Sequence, residues 1–269
     1  MRKKLPLFSL GVLGFVFGLS ILGPFFYTVS PYELGANSIL LPPSWEHPLG
    51  TDRLGRDLLS RIMQGGQTSL IIGVGSAIIA SFLGLIIGVS AGFFGKVADK
   101  TIIVVIDLFL TFPTFFLLLA LVSYVEASTW VLIIVISITG WMGMARLIRS
   151  ESFAIASKPF IKILSIANVK PWVIILKYFT PLLAPIFFIS FTFGVSGAIL
   201  AESGLSFLGI GIMPPQMSWG SILAEGKEVL DVAWWVSFFP GLMIFLVTYA
   251  LVRLSDFLQS YTNQNEIHP

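Results

Sequence analysis

Few residues in this chain can do covalent or metal chemistry. Cysteine is absent and the two histidines, His47 and His268, stand far apart in sequence, which excludes thiolate sites and leaves too few ligands for a histidine-built metal centre. No G-x-x-x-x-G-K-S/T phosphate loop, G-x-S-x-G elbow or H-E-x-x-H pair occurs, so the sequence argues against an enzyme and for a chain that binds neither metal nor cofactor itself. What remains is a handful of charges in apolar surroundings. Asp107 lies inside one apolar stretch, and Glu202, followed by Ser203, closes another. An ionisable group at membrane depth faces a bundle interior or a water path, so Asp107, Glu202 and Ser203 are candidates for a translocation pathway. Asp107 has a second reading, a carboxylate near one interface paired with a basic residue of a neighbouring span. Glu202 is expected at the outer interface, solvated.

Two further segments carry patterned polarity. Asp52, Arg53, Arg56 and Asp57 are mixed in sign, which suits either specific docking of a protein or a self-satisfied salt-bridge cluster. Phe153, Phe160, Ile161, Ile163 and Leu164 alternate with Lys158 and Lys162, and Pro159 fits the first turn of a helix starting near Lys158. Such a helix can lie on anionic lipid or enter the groove of a soluble partner, and its residue types allow both.

The elements that must position these groups follow from composition. The 269 residues are 56% hydrophobic and only 11% charged, against roughly 25% charged in an ordinary soluble domain. Lipid is therefore the solvent, and an all-α integral membrane protein is expected. A span needs about 20 apolar residues, and six stretches qualify: Leu5–Ser30, Gln67–Gly95, Thr101–Val125, Ala127–Ala145, Tyr178–Ala201 and Val232–Val252. Glycines recur through the second and permit close helix contact. Ser203–Ala224 is also uncharged, but its glycines and Pro214-Pro215 break the backbone, so it is expected as an outer-face loop. Of the 16 basic residues, twelve then fall inside (Arg2, Lys3, Lys4, Lys96, Lys100, Arg146, Arg149, Lys158, Lys162, Lys170, Lys177 and Arg253) and four outside (Arg53, Arg56, Arg61 and Lys227). This asymmetry predicts both termini in the cytoplasm. A net charge of +2 gives no argument for nucleic acid.

Three motifs carry a resemblance. His47-Pro48-Leu49-Gly50-Thr51-Asp52-Arg53-Leu54-Gly55-Arg56-Asp57, then Ala201-Glu202-Ser203-Gly204-Leu205-Ser206-Phe207-Leu208-Gly209 with Pro214-Pro215 and Ser218-Trp219-Gly220, and finally Ala233-Trp234-Trp235 with Phe239-Pro240-Gly241, resemble the second permease subunit of dipeptide, oligopeptide and nickel ABC importers. The segment from Asp107 through Phe112-Pro113 is similar to the family's D-x-x-x-x-F-P. The resemblance implies a type I ABC importer permease fold with six transmembrane helices, in a bacterial cell membrane. It implies transport of peptides, nickel or a metal chelate. The implied partners are a homologous permease subunit in a heterodimer, two cytoplasmic ATP-binding subunits holding ATP and Mg, and an extracytoplasmic substrate-binding protein. It divides the chain into an N-terminal span with its outer segment (1–66), a permease core (67–256) with a coupling loop (146–177), and a cytoplasmic tail (257–269). ATPase coupling falls on Phe160, Ile161, Lys162, Ile163, Leu164, Asn168 and Trp172, and extracytoplasmic docking on Asp52, Arg53, Arg56 and Asp57. The family's E-A-A-x-x-x-G pattern is eroded here, with E-A-A aligned to Lys162-Ile163-Leu164 and its glycine to Asn168. The turn is expected to survive, since asparagine tolerates a left-handed backbone. The competing reading is an ATP-independent secondary transporter or channel, whose inverted repeats or filter rings are not evident.

Overall fold

The computed structural model describes residues 6–267. Arg2, Lys3, Lys4 and His268, part of the sequence argument above, lie outside the described residues. The helices are α1 (Leu7–Ile21), α2 (Gly23–Phe26), α3 (Leu58–Phe94), α4 (Lys96–Thr111), α5 (Thr114–Val122), α6 (Thr129–Ala156), α7 (Pro159–Ile166), α8 (Pro171–Ile174), α9 (Thr180–Phe207), α10 (Trp219–Lys227) and α11 (Trp235–Ile267), with a π-helical turn at Ile175–Phe179 joining α8 to α9.

The six expected spans take three forms. Leu58–Phe94, Thr129–Ala156, Pro171–Phe207 and Trp235–Thr262 are each long and apolar enough to cross a membrane. The third expected span is broken: Asp99–Thr111 and Thr114–Val122 meet at 81°. Pro113 supplies no N–H and pushes Phe112 out of the helical region, to φ −86°, ψ 134°. The first expected span holds only the 15-residue apolar α1, shorter than the roughly 20 residues that a crossing takes, and gives way to α2 at Gly23-Pro24. Helix boundaries also differ from the expected ones. α3 begins at Leu58, where Asp57 accepts a hydrogen bond from Ser60 N–H at 2.8 Å, a cap that fixes the start. α6 runs through Ala156, well into the expected inner loop, and α11 continues past residue 256 without a break.

The stretch 203–224 departs further from the expected loop. α9 continues to Phe207, and α10 starts from a reciprocal capping box between Ser218 and Ser221. Only residues 208–218 are irregular. Trp219 and Ile222 of α10 are fully buried, and the Trp219 indole donates to Ile62 O at 3.0 Å. Gly204 and Gly220 lie inside helices, while Gly209, at φ 80°, ends α9.

α3 and α6 form the most extensive helix pair. On α3, Gly84, Gly88 and Gly92 lie one turn apart along the contact. A Cβ on Gly88 would sit 2.7 Å from Ala145 O, and one on Gly92 2.3 Å from Ser152 Cβ. Absent side chains let the two backbones approach. At about 1.5 Å per residue, the 37 residues of α3 exceed the ~30 Å hydrocarbon core, so its two ends lie on opposite sides of a membrane. Those ends carry the two polar constellations described next.

Candidate functional site

At the start of α3 the charges are spent on one another. The segment 31–57 is irregular but held, with Leu40 N–H donating to Asp52 O, Thr51 N–H to Leu41 O, and the Trp235 indole to Thr51 O at 3.1 Å. Gly55 (φ 74°) is required there, because a Cβ would fall 2.0 Å from Gly35 O. Asp52 accepts from the N–H groups of Leu54 (2.8 Å) and Arg56 (3.0 Å) and from Arg56 Nε (2.6 Å). Glu225 of α10 accepts from Arg56 Nη2 at 2.6 Å and from Arg61 Nη2 at 3.0 Å. Arg61 is 1% exposed, with its Nε 3.3 Å from Asp52. Loop, α3 and α10 are thus stapled through two arginines held between two carboxylates.

Asp57, besides capping α3, accepts from Tyr27 Oη at 2.9 Å and lies 2.9 Å from His47 Nδ1. Burial raises the Tyr27 phenol above its ordinary value, and the hydrogen bond to Asp57 and its charge push the same way, so the phenol remains a donor. Asp52 and Asp57 are buried and Arg56 nearly so. Of the four residues expected to dock a partner, only Arg53 stands exposed, paired with Glu228. A salt-bridge cluster within the chain is the arrangement present, although Arg61 Nε and Nη1 are buried without a hydrogen-bond partner among the described residues. Arg61, Glu225, His47 and Tyr27, its other members, were not singled out from sequence. Tertiary packing brings Glu225 to residues more than 160 positions earlier, and no local pattern marks it.

Glu202 corrects an expectation. It is not at a solvated interface but 0% exposed, accepting from Ser206 Oγ at 2.7 Å and Ser69 Oγ at 3.1 Å, with Ser203 Oγ at 3.5 Å. Ser69 Oγ also accepts from Trp219 N–H at 3.1 Å. A carboxylate taken out of water requires such donors, and here they tie α3, α9 and the start of α10 together. Glu202 and Ser203 are enclosed by packing and line no open path. Asp107 is exposed and paired with Arg146 of α6, the neighbouring-span pairing that was one of its two readings. Asp99 pairs with Arg149, about one turn further along α6 and about two turns earlier on α4.

At the far end of α3 the polarity is reversed. α7 starts with Pro159 in its first turn, as its sequence predicts, and ends in a Schellman turn. Asn168 adopts φ 56°, its N–H reaching Ser165 O and the Val169 N–H reaching Leu164 O, both at 3.1 Å. The same double bond closes α9, where the left-handed residue is Gly209 (φ 80°). Asparagine therefore preserves the turn at the eroded glycine position. Ile161 is 3% exposed and packs with Ile174, Phe179 and Ile155, with half-buried Leu164 beside it. Those two, expected at the docking tip, instead anchor the helix. The displayed row is Phe160, Ile163 (64% exposed) and Ile166 (81% exposed), spaced three apart on one face, with Lys162 exposed beside it. Trp172 on α8 is also exposed. Ile166 was missed from sequence, because only the packing of Ile161 fixes which face of so short a helix turns outward. A groove beside this row runs between Phe93 and Phe94 of α3 and Lys162, Ile166 and Asn168.

Comparison with known proteins agrees with this architecture. Residues 84–265 match the model of the family described as binding-protein-dependent transport system inner membrane component. The chain is 34% identical over 262 residues to the dipeptide transport system permease protein DppC of Bacillus subtilis, covering 96% of this chain and 81% of that one. It is 33% identical over 249 residues to the oligopeptide transport system permease protein OppC of Mycobacterium tuberculosis, covering 92% and 86%. Among solved structures, a chain of the MetNI methionine ABC transporter, in a study of its inward-facing conformations, superposes with a TM-score of 0.55 over 72% of this chain and 94% of that one. At 16% identity that likeness speaks to the fold. By its matched residues, its relatives and its helical architecture, this chain belongs to the binding-protein-dependent transport system inner membrane component family, as a multi-pass ABC importer permease of the type I fold.

Proposed function

We propose that the chain is one half of the membrane channel of an ATP-driven peptide importer, working beside a homologous permease, with two cytoplasmic ATP-binding subunits and an extracytoplasmic binding protein. The relatives named above are peptide permeases, so the proposal is narrowed from nickel and metal chelates to peptides. ATP and Mg belong to the partner ATPases; this chain contributes binding, gating and coupling. The twelve-to-four distribution of basic residues puts both termini and α7 in the cytoplasm and the Asp52–Glu225 cluster outside.

The observation that carries this reading is α7. A short helix with Ile161 and Leu164 sunk into the bundle and Phe160, Ile163 and Ile166 displayed is a stiff contact through which motion of an ATPase reaches the spans. Burying two such side chains is worth about 1.5–3 kcal/mol each, enough to offset the charge-assisted bond, roughly 1.5–3 kcal/mol, lost where lysine stands for glutamate. Lys162 then faces an acidic residue of the ATPase. At the other end, fully exposed Trp45 and Arg53 replace buried Asp52 and Asp57 as the contacts offered to the binding protein. Asp107, next to the break at Pro113, remains the pathway candidate among the charged residues.

The test is uptake by the complete complex in liposomes. Peptide accumulation that requires both ATP and the binding protein supports the importer; equal uptake by this chain alone without ATP supports a carrier. The chain is naturally free of cysteine, so Trp45→Cys should react with an impermeant thiol reagent from outside intact cells and Ile166→Cys should not. The reverse pattern overturns the orientation.

A further inference from the structure

Between α3, α5, α6 and α9 lies a recess of about 260 Å³. Its walls are mostly small residues, among them Gly194 and Gly197 of α9, with Met144, Leu118 and Ile136 as its larger members and no charged residue. Small residues alone describe a packing surface as well as a site. Two further observations point to an occupant. Ser81 is 2% exposed and lines the recess, and its hydroxyl makes no hydrogen bond among the described residues. A hydroxyl that opens on an apolar recess and bonds nothing in the chain is free to donate to or accept from a group that enters. Ser190, also in the wall, is likewise unpartnered.

The second observation is the position of the opening. α5 packs on α6 and meets the far end of α9, where Phe115 lies against Gly204, while Thr114, the first residue after the break at Phe112-Pro113, lines the recess and is exposed. Backbone broken at 81° leaves peptide groups that hydrocarbon cannot satisfy, so this face meets water or protein rather than lipid. The exposed Asp107–Arg146 pair lies in the same broken span and its neighbour.

Resting on the peptide-importer reading, we propose that this recess is a side-chain subsite in the wall of the translocation pathway. It takes an uncharged side chain of the passing peptide, up to aromatic size, while the Ser81 and Ser190 hydroxyls meet the peptide's amide groups. The volume exceeds the roughly 150 Å³ that admits benzene to an apolar cavity. A charged side chain entering it would lose water and find no counter-ion.

The experiment uses the complete reconstituted complex and three probes, trialanine, Ala-Phe-Ala and Ala-Glu-Ala. A Cβ on Gly197 meets nothing within 4 Å, so larger residues there can fill the recess. Gly197→Leu should lower uptake of Ala-Phe-Ala relative to trialanine about tenfold, the scale of losing one buried side chain, and leave the Ala-Glu-Ala ratio as it was. Ser81→Ala should slow all three together. The binding protein is a separate chain and unaltered, so a changed ratio belongs to the recess. If the wild-type complex transports none of the probes with ATP, the importer reading fails and the subsite with it. If it transports them and Gly197→Leu leaves the ratios unchanged, the importer stands and the subsite is overturned. Should Gly197→Leu release the second permease, Gly197→Ala carries the same comparison with a smaller shift in the same direction. No shift there means that the recess is a socket for a neighbouring helix.

Discussion

The two ends of α3 solve opposite problems with opposite residues. Around Asp57 the chain buries charge: Asp52, Arg61 and Glu202 are all within 1% of complete burial. Around Phe94 it displays apolar surface, with Ile163 and Ile166 among the most exposed aliphatic side chains in the molecule. A buried, mutually paired cluster fixes loop and helices in one arrangement, because removing any member strands the others. A displayed apolar row held by its own buried neighbours has nothing to satisfy until a partner covers it. One end is a clamp within the chain and the other is a contact offered to another chain.

The comparison breaks most readily at Arg61. Arg61→Ala leaves Asp52 and Glu225 short of a counter-charge in a buried site, and a loss of about 3–5 kcal/mol is expected, read as a lowered unfolding temperature of the purified complex. Arg53→Ala, at the exposed pair with Glu228, should change stability by no more than about 0.5 kcal/mol. Equal effects of the two would show that burial does not distinguish them. Midway along the molecule, Gly92→Ala drives a Cβ into Ser152 and should cost about 1–3 kcal/mol by overpacking. That places the α3–α6 contact between the two ends in sensitivity. At the α7 end the effect on stability should nearly vanish. Ile163→Ser and Ile166→Ser, both at exposed positions, should leave unfolding within about 0.5 kcal/mol of wild type while ATP hydrolysis no longer drives uptake. Ile161→Ser, behind the same helix, should instead unfold the anchor.

Much of the fold was legible because it is written locally. Apolar runs located the spans, Pro159 marked the start of α7, and Asn168 was readable as a left-handed residue before its φ was known. The break of the third span at Phe112-Pro113 was present in the sequence too, since proline interrupts a helix by its own covalent structure. The site was less legible, for a physical reason common to each miss. Glu202 reads as an interfacial carboxylate until Ser69, 133 positions earlier, is folded against it. Asp52 and Asp57 read equally as docking charges or as a local salt-bridge cluster until α10 delivers Glu225 and the Tyr27 phenol closes over Asp57. On α7 Ile161 and Leu164 were expected at the tip and Ile166 was overlooked, because so short a helix with most of its side chains apolar takes its orientation from Phe179 and Ile174, not from its own periodicity.

The most direct measurement of the difference between the ends is a crosslink from the displayed row. With Ile166→Cys as the one cysteine in this chain and the intact importer in native membranes, a short thiol-to-amine crosslinker should join residue 166 to an ATP-binding subunit. ATP should change the yield as that subunit moves. Recovery of this chain crosslinked only to itself or to lipid, with or without ATP, would make α7 a membrane-surface helix and contradict its role as the coupling contact.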